Sequence, residues 1–209
     1  LQDGDVVDRR RAALALGEED ATDVVVDALV HLGLADDDAD VRQFAVESLG
    51  NLGGERADEA AVATLDDPNP WVRAEAVVAL DRIDRGTFES RVEDALDDEH
   101  HAVRRNAAVS LFKSRGAAML DTLLEQSHDE SERVREWAVH LLAGVDDDRA
   151  DQRLREVAGD DSEPKVVRST AARSLDADPG KFRRQFTGGT ENDSAALPGE
   201  SRLNRQPDL

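Results

Sequence analysis

The sequence of 209 residues contains no cysteine and no tyrosine, and aromatic residues make up only 3% of it. The absence of cysteine excludes disulfides, thiolate zinc sites and cysteine nucleophiles. Because aromatic side chains are so few, the interior has to be built from Ala, Val and Leu, which favours closely packed helices over a β-sandwich. No apolar run approaches the ~20 residues of a membrane span, so we expect no direct membrane insertion.

Positive charge is also scarce. The chain has 47 acidic and 26 basic residues, a net charge of −21, and its only lysines are Lys113, Lys165 and Lys181. Phosphate groups bind to basic patches, so this balance argues against nucleic acid as a partner. In molar salt the Debye length falls to ~3 Å, and such a density of negative charge is then tolerated. The Asp-rich, Lys-poor composition resembles that of proteins from halophilic archaea, which assigns most of the charge to solubility.

A nine-residue pattern recurs along the chain. It opens on Val-Arg pairs at 41–42, 72–73, 103–104, 134–135 and 167–168, which are 31, 31, 31 and 33 residues apart. The copies read VRQFAVESL, VRAEAVVAL, VRRNAAVSL, VREWAVHLL and VRSTAARSL, and a degenerate copy, DRRRAALAL, occupies residues 8–16. The apolar positions i, i+4, i+5 and i+8 fall on one stripe of an α-helix. The pattern therefore predicts six similar helices, called here the Val-Arg helices.

A second set of helical segments alternates with the Val-Arg helices. These segments span residues 22–33, 55–65, 87–96, 117–126 and 148–158, and Asp-rich turns separate each from the next Val-Arg helix. A pair of helices this short cannot bury its own apolar stripe, so successive pairs have to stack into a continuous core. We therefore predict an all-α fold, an α-solenoid of about six helix-turn-helix repeats over residues 1–178.

The period of about 31 residues, the turn D-x-x-x-x-V-R and the run V-R-x-x-A-[AV]-x-x-L resemble HEAT repeats. More narrowly, they resemble the short HEAT-like repeats named after phycobilin lyases. The resemblance implies a ladder of hydrogen bonds between turn aspartates and helix arginines, within and between repeats. The matching residues are Asp36, Arg42, Asp67, Arg73, Asp98, Arg104, Asp129, Arg135 and Arg168. A binding site for an anionic ligand is the alternative role of this arginine column.

Partner contacts are better sought where the repeats differ from one another. The position two residues after each arginine lies away from the Ala/Leu stripe and reads Arg11, Phe44, Glu75, Asn106, Trp137 and Thr170. In HEAT arrays the second helices line the concave surface, so the resemblance places this column in the groove. Exposed aromatic residues are costly without a partner and are common interface anchors. We predict partner-binding roles for Phe44, Glu75, Asn106, Trp137 and the neighbouring His140. The alternative is that Phe44 and Trp137 fill gaps between repeats.

The repeat pattern stops after Asp178. Residues 179–209 are poor in aliphatic side chains and rich in turn formers, as is typical of a segment without a fold of its own. Their run KFRRQF places two phenylalanines around two arginines, which makes it a candidate linear motif. We predict an extended C-terminal arm over 179–209 that lies across a partner through Phe182, Arg183, Arg184 and Phe186. Folding back along the acidic body of the same chain is the alternative.

Residue spacings typical of catalytic and metal sites are missing. The histidines, at positions 31, 100, 101, 128 and 140, show no H-E-x-x-H spacing, and the Asp clusters lack the frame of a calcium loop. Neither a glycine-rich phosphate loop nor a nucleophile elbow occurs. We therefore expect no cofactor, no metal and no enzymatic activity. An enzyme of the bilin-lyase type is the less favoured alternative that the resemblance leaves.

These features predict a non-catalytic protein–protein interaction scaffold, an accessory or structural subunit of a larger haloarchaeal complex. The second hypothesis is an assembly chaperone for a larger enzyme, such as a redox enzyme. In either role the partners are one or more proteins, bound by the concave helix face and the C-terminal arm. We expect a cytoplasmic protein, with attachment to a membrane complex through a partner as the alternative.

Overall fold

The computed structural model describes Leu1 and residues 4–186, and every regular element in these residues is helical. The helices are α1 (Val6–Leu16), α2 (Asp23–Ala28), α3 (Ala39–Leu52), α4 (Glu55–Thr64), α5 (Pro70–Asp84), α6 (Glu89–Asp94), α7 (His101–Arg115), α8 (Leu120–Gln126), α9 (Glu132–Leu142), α10 (Asp148–Gly159), α11 (Lys165–Leu175) and α12 (Pro179–Phe186). The prediction of an all-α fold is confirmed. Most of the predicted C-terminal arm, residues 187–209, lies outside the described residues.

The helices that alternate with the Val-Arg helices follow the predicted segments closely. α4 and α10 end within one residue of the predicted bounds. α2 continues as a π-helical turn over Leu29–Gly33, and 3₁₀ turns extend α6 over Ala95–Asp97 and precede α8 over Gly116–Met119. The tighter or wider turns lie at helix ends, where unsatisfied backbone groups adopt such geometry.

Short polar side chains in the Asp-rich turns begin several of the helices. The Asp38 carboxylate accepts the Val41 N–H at 3.1 Å before α3, and the Asn69 side chain accepts the Trp71 N–H at 2.9 Å before α5. Pro70 occupies the first position of α5, where its missing N–H costs nothing. The turns therefore define where the Val-Arg helices begin, in addition to contributing charge.

The predicted apolar stripe forms the core. In α5 the stripe positions Val72, Ala76, Val77 and Leu80 are fully buried. The corresponding residues of two other repeats are buried as well: Val41, Ala45, Val46 and Leu49 in α3, and Val134, Ala138, Val139 and Leu142 in α9. Small and branched side chains thus fill the interior, as the scarcity of aromatic residues requires.

The chain divides into two compact units, with the boundary inside α7. The first unit is Leu1–Asn106, and the described part of the second begins at Ala107 and ends with α12. In the first unit α3 packs against α1, α4 and α5. In the second unit α9 packs against α8, α10 and α11. In both units a Val-Arg helix therefore packs on its own partner helix and on the next Val-Arg helix.

Candidate partner-binding site

The arginine of each repeat joins two successive turns. Arg42 donates from Nη1 to the carbonyl oxygen of Asp36 in its own turn at 2.9 Å. Its Nε and Nη2 donate to the Asp67 carboxylate of the next turn at 2.8 and 3.0 Å. Arg73 repeats the arrangement with the Asp67 carbonyl at 3.0 Å and the Asp98 carboxylate at 2.8 and 2.9 Å. A guanidinium suits this position because its planar fork can bind two acceptors at once.

The ladder continues through Arg104 and Arg135, and its acidic partners change towards the end of the second unit. Arg104 and Arg135 each donate to the carbonyl six residues earlier, at Asp98 and Asp129, both at 2.8 Å. Arg135 pairs across the longer following turn with Glu163, at 3.0 Å, in place of an aspartate. Arg168 hydrogen-bonds to Asp161 of its own turn.

Sequence reasoning missed two members of the ladder, Arg9 and Glu163. Arg9, the arginine of the degenerate first copy, donates to the Asp36 carboxylate at 2.7 and 3.1 Å. The alignment of DRRRAALAL with the other copies was the signal for Arg9. The spacing of 33 residues in place of 31 was the signal that the last turn differs.

The ladder arginines hold the turn carboxylates in their charged form. Burial raises the pKa of Asp98, but the hydrogen bond and charge of Arg73 and the hydrogen bond from the His100 N–H together outweigh it, so this pKa lies below its usual range. The hydrogen bond from Arg9 likewise lowers the pKa of Asp36. Because the donors of Arg42 and Arg73 are already bound to carboxylates and carbonyls, the geometry supports an architectural role for them and not an anion site.

The column two residues after each arginine is not a continuous surface, which corrects the predicted partner-binding roles of Glu75 and Asn106. Both side chains are buried, with 2% and 6% of their surface exposed, and Thr170 is buried as well. The Asn106 amide donates to the Ala74 carbonyl of α5 at 2.9 Å. The position faces the neighbouring Val-Arg helix in the first unit, because consecutive Val-Arg helices lie side by side.

The two aromatic residues of the column remain partly exposed. Phe44 lies on α3 in the first unit, and Trp137 lies on α9 in the second unit. Trp137 makes an edge contact with His140, one turn later, with ring centroids 5.5 Å apart at 90°. The structure therefore brings Trp137 and His140 together as predicted neighbours, while Phe44 belongs to the other unit.

Five rings of the second unit form one group, which we call the aromatic cluster: Phe112, Trp137, His140, Phe182 and Phe186. Phe182 and Phe186 are one turn apart on α12 and stack at 5.5 Å and 11°. His140 meets Phe182 edge-on at 5.1 Å, and Phe112 meets Phe186 edge-on at 5.4 Å. Such edge-to-face pairs stabilise beyond the area that they bury.

Helix α12 corrects the prediction of an extended arm for residues 179–186. Asp178 accepts the N–H of Lys181, and Pro179 takes the first helical position, so the segment carries its own helix start. Arg183 donates to the Gly144 carbonyl, whereas Arg184 is exposed. The residues predicted to contact a partner thus contact their own unit through Phe182, Arg183 and Phe186.

His140 is neutral at pH 7 in this arrangement. Burial lowers the pKa of its imidazole, and the positive charge of Arg173 lowers it further. A neutral ring packs against Phe182 without bringing a charge into an apolar contact. The aromatic cluster is therefore an apolar surface with one imidazole at its edge.

Gly144, which sequence reasoning did not select, makes the contact between α9 and α12 possible. A Cβ on Gly144 would lie 2.5 Å from Phe112 Cζ and 2.8 Å from Phe182 Cδ1. Both distances are far shorter than carbon atoms tolerate without moving. Only a residue without a side chain allows the two phenylalanines to meet there.

We expect Gly144→Ala to release α12 from the aromatic cluster. Phe112 is fully buried and Phe182 is only partly buried, so Phe182 is the ring that yields. Limited trypsin digestion, read by mass spectrometry, is expected to cut after Lys181, Arg183 and Arg184 at least tenfold faster, a difference of ~1.4 kcal/mol in local opening. The control is Gly159→Ala, where an added Cβ meets nothing within 4 Å. Equal cleavage in the two variants would refute this role of Gly144.

A second group of rings lies in the first unit, at the turn before α7. The indole of Trp71 meets His100 at 5.1 Å and His101 at 6.1 Å, both edge-on, and the two imidazoles stack at 4.5 Å. His100 Nδ1 accepts the Ala102 N–H at 3.3 Å. Trp71 is thus packed across the edge between adjacent repeats.

The acidic turns of the described chain are used for structure. Asp147 begins α10 by accepting the Arg149 N–H at 2.8 Å and pairs with the Arg149 side chain at 3.2 Å. Within Leu1 and residues 4–186, no group of three or more His, Asp or Glu side chains is placed to hold a metal ion. Over the same residues no helix combines the length and apolar character that crossing a membrane requires.

Comparison with known proteins points to one family. The model of the HEAT repeats matches residues 1–81, 59–143 and 89–176, whereas no curated protein matches the sequence. The complex of CpcE and CpcF of phycocyanin lyase from Nostoc sp. PCC7120 is similar in structure, with a TM-score of 0.55, 24% identity, and coverage of 72% of this chain and 98% of that chain.

Two further solved structures are similar. YibA from Escherichia coli has a TM-score of 0.60 and 24% identity, over 83% of this chain and 67% of that chain. An archaeal HEAT-like repeats protein from Thermococcus onnurineus NA1 has a TM-score of 0.51 and 17% identity, over 90% and 85%. At these identities the likeness shows the fold alone, and it confirms the predicted α-solenoid.

Proposed function

Because this chain belongs to the HEAT-repeat family, we propose that it is a non-catalytic protein-interaction module, an accessory subunit of a larger complex. Arrays of this kind present long helix faces on which partners dock. The observation that supports a specific site is the partly exposed indole of Trp137 on α9, beside His140. Aromatic residues make up only 3% of the chain, and tryptophan is a common anchor of protein interfaces, so a tryptophan that remains partly exposed to solvent indicates a partner-binding surface.

The packing of Trp137 suits this role. Its edge contact with His140 restricts the indole before any partner arrives, so little side-chain entropy is lost on binding. The neighbouring rings of the aromatic cluster extend the apolar area around it. The proposed binding site is therefore the α9 surface of the second unit, centred on Trp137.

The charge of the chain adds a condition on the partner. We infer a cytoplasm of high salt from the net charge of −21 and the near absence of lysine. With a Debye length of ~3 Å at molar salt, exposed charges contribute little to affinity. Apolar contacts such as those of Trp137 then have to supply most of the binding free energy. Salts that are excluded from the protein surface strengthen such contacts.

We expect Trp137→Ala to weaken partner binding by at least thirtyfold, about 2 kcal/mol, as for an interface anchor. The measurement is capture of partners by the tagged full chain from an extract of its source in molar salt, followed by titration of the captured protein. The matched control is Trp71→Ala, because Trp71 is also partly buried but packs at a repeat edge of the first unit. Unchanged binding by Trp137→Ala, with circular dichroism showing an intact fold, would exclude the α9 surface.

An assembly chaperone is the second candidate, and the packing of α12 in the aromatic cluster favours it. A surface that can be covered by the chain's own helix allows a partner to be bound and released. A partner that co-purifies in equal amount supports the subunit, and one found only during maturation of the larger enzyme supports the chaperone. A pigment retained by the purified chain would instead support a lyase-like enzyme.

A further inference from the structure

We propose that α12 occupies, within its own chain, a site that takes a segment of the same chemistry from the partner: a short helix with two phenylalanines one turn apart and an arginine after the first. The proposal rests on the proposed function and specifies the kind of partner that the second unit recognises. It also makes α12 a competitor that partner binding has to displace.

The site is built to hold two rings. Its floor is Phe112, which is fully buried, and one side is the neutral imidazole of His140. The gap over Gly144 admits the first ring, Phe182, and the edge of Phe112 receives the second, Phe186. Rings at i and i+4 lie on one face of a helix, so this pair of pockets selects a helical segment.

A polar contact adds orientation to the apolar ones. The Gly144 carbonyl lies just beyond the end of α9 and accepts a hydrogen bond from Arg183. A charged donor on a carbonyl at a helix C-terminus is favourable because the helix dipole places negative charge there. The segment therefore needs a basic residue directly after its first phenylalanine, as in Phe182-Arg183.

Helix α12 is held weakly enough to be displaced. It has eight residues, and isolated helices shorter than ~12–15 residues are marginal in water. None of its eight residues, all of which are described, is fully buried, and Lys181, Arg184 and Gln185 are exposed. Its attachment thus depends on Phe182, Phe186 and Arg183, and a partner segment that makes the same three contacts competes directly.

Charge complementarity favours a basic segment over an acidic one. Residues 179–186 contain Lys181, Arg183 and Arg184 and no acidic residue, on a chain whose net charge is −21. At low salt, where charges are not screened, this chain would repel an acidic segment. The partner segment is therefore basic at the position of Arg183, where the donor contacts a carbonyl, whereas charge at its exposed positions adds little in molar salt.

The test uses the full chain and the double variant Phe182→Ala/Phe186→Ala, in which α12 loses both rings. The probe is a fluorescent peptide with the sequence of residues 177–186, titrated by anisotropy. We expect saturable binding to the double variant and at least tenfold weaker apparent affinity for the unaltered chain, because its own α12 fills the site. A peptide with both phenylalanines replaced by alanine should not bind, and one with Arg184→Ala should bind equally.

His140 supplies an independent reading of site occupancy. Burial lowers the pKa of His140 in the unaltered chain, with Arg173 on α11 as the facing positive charge. NMR titration of the imidazole is expected to show this pKa rising in the double variant, because the rings that exclude water are gone. Added peptide should lower it again.

Three results would overturn the proposal. The first is a folded double variant that does not bind the peptide, and the second is equal affinity for the unaltered chain. The third is a concentration-dependent dimer that dissociates on the double substitution, because α12 would then bind to a second copy of the chain. If the peptide fails while Trp137→Ala still abolishes capture of the partner, the proposed function stands and only the identity of the segment is wrong.

Discussion

Replacing Arg73 with alanine is expected to lower the free energy of unfolding by about 2–4 kcal/mol in urea denaturation. Arg73 joins two turns of the first unit through the Asp67 carbonyl and the Asp98 carboxylate. Only 11% of the Arg73 side chain and 15% of the Asp98 side chain are exposed, so water cannot fully replace the lost donors. The cost includes an aspartate left charged in a partly buried position without its partner.

The contribution of Asp98 also predicts a pH dependence. Its pKa is lower in the folded chain than in the unfolded chain, where it is about 3.9. The stabilisation from this pair is therefore fully present above about pH 5 and is lost progressively as the pH falls through the folded value. Arg73→Ala should flatten that part of the stability profile.

Arg155→Ala is the matched control for Arg73→Ala. Arg155 pairs with Asp151 at 2.9 Å, but the two side chains are 64% and 50% exposed. A pair so open to solvent contributes within about 0.5 kcal/mol. If Arg73→Ala costs no more than Arg155→Ala, the ladder does not stabilise the array.

Replacing Phe112 with alanine is expected to destabilise the chain by about 3–5 kcal/mol and to release α12 as well. The ring is fully buried and forms the floor under Phe182 and Phe186, at 6.2 and 5.4 Å between centroids. Truncation removes its core contacts and leaves a cavity that the surrounding helices fill only in part. Urea denaturation gives the stability, and trypsin cleavage after Arg184 reports the release of α12.

Phe182→Ala separates the two effects of Phe112→Ala. Phe182 is only partly buried, so its loss should release α12 at a much smaller cost in stability than Phe112→Ala. Phe112→Leu should retain much of the stability, because it keeps most of the apolar volume. If α12 stays protected from trypsin in Phe112→Ala, the floor of the proposed site is misplaced.

The repeat pattern was enough to predict the helices and the core stripe, and the resemblance to HEAT repeats implied most of the ladder. Period and residue type together identify such features, because each repeat supplies the same evidence again. The resemblance paired Arg42 and Arg73 with the turns, and the apolar stripe placed Leu80 in the core. The contact of Arg9 with Asp36 could also have been predicted, because the degenerate first copy aligns with the other copies.

The candidate site was harder to predict because it depends on how single repeats differ. The spacing on one helix placed Glu75 and Asn106 away from the apolar stripe, but in the first unit a neighbouring Val-Arg helix covers that face. The start of α12 was signalled by Asp178-Pro179, the same kind of pair as Asn69-Pro70, yet composition led to an extended arm. Gly144 could not be found without the positions of Phe112 and Phe182.

The central claim, that a partner binds the α9 surface at Trp137, is tested most directly by site-specific photo-crosslinking. A photoreactive phenylalanine analogue replaces Trp137 in the full chain, and Trp71 in a control chain, in extract at molar salt. We predict one discrete protein adduct from position 137, none from position 71, and a higher yield when Phe182 and Phe186 are also replaced by alanine. An adduct from position 71 with none from position 137 would contradict the account.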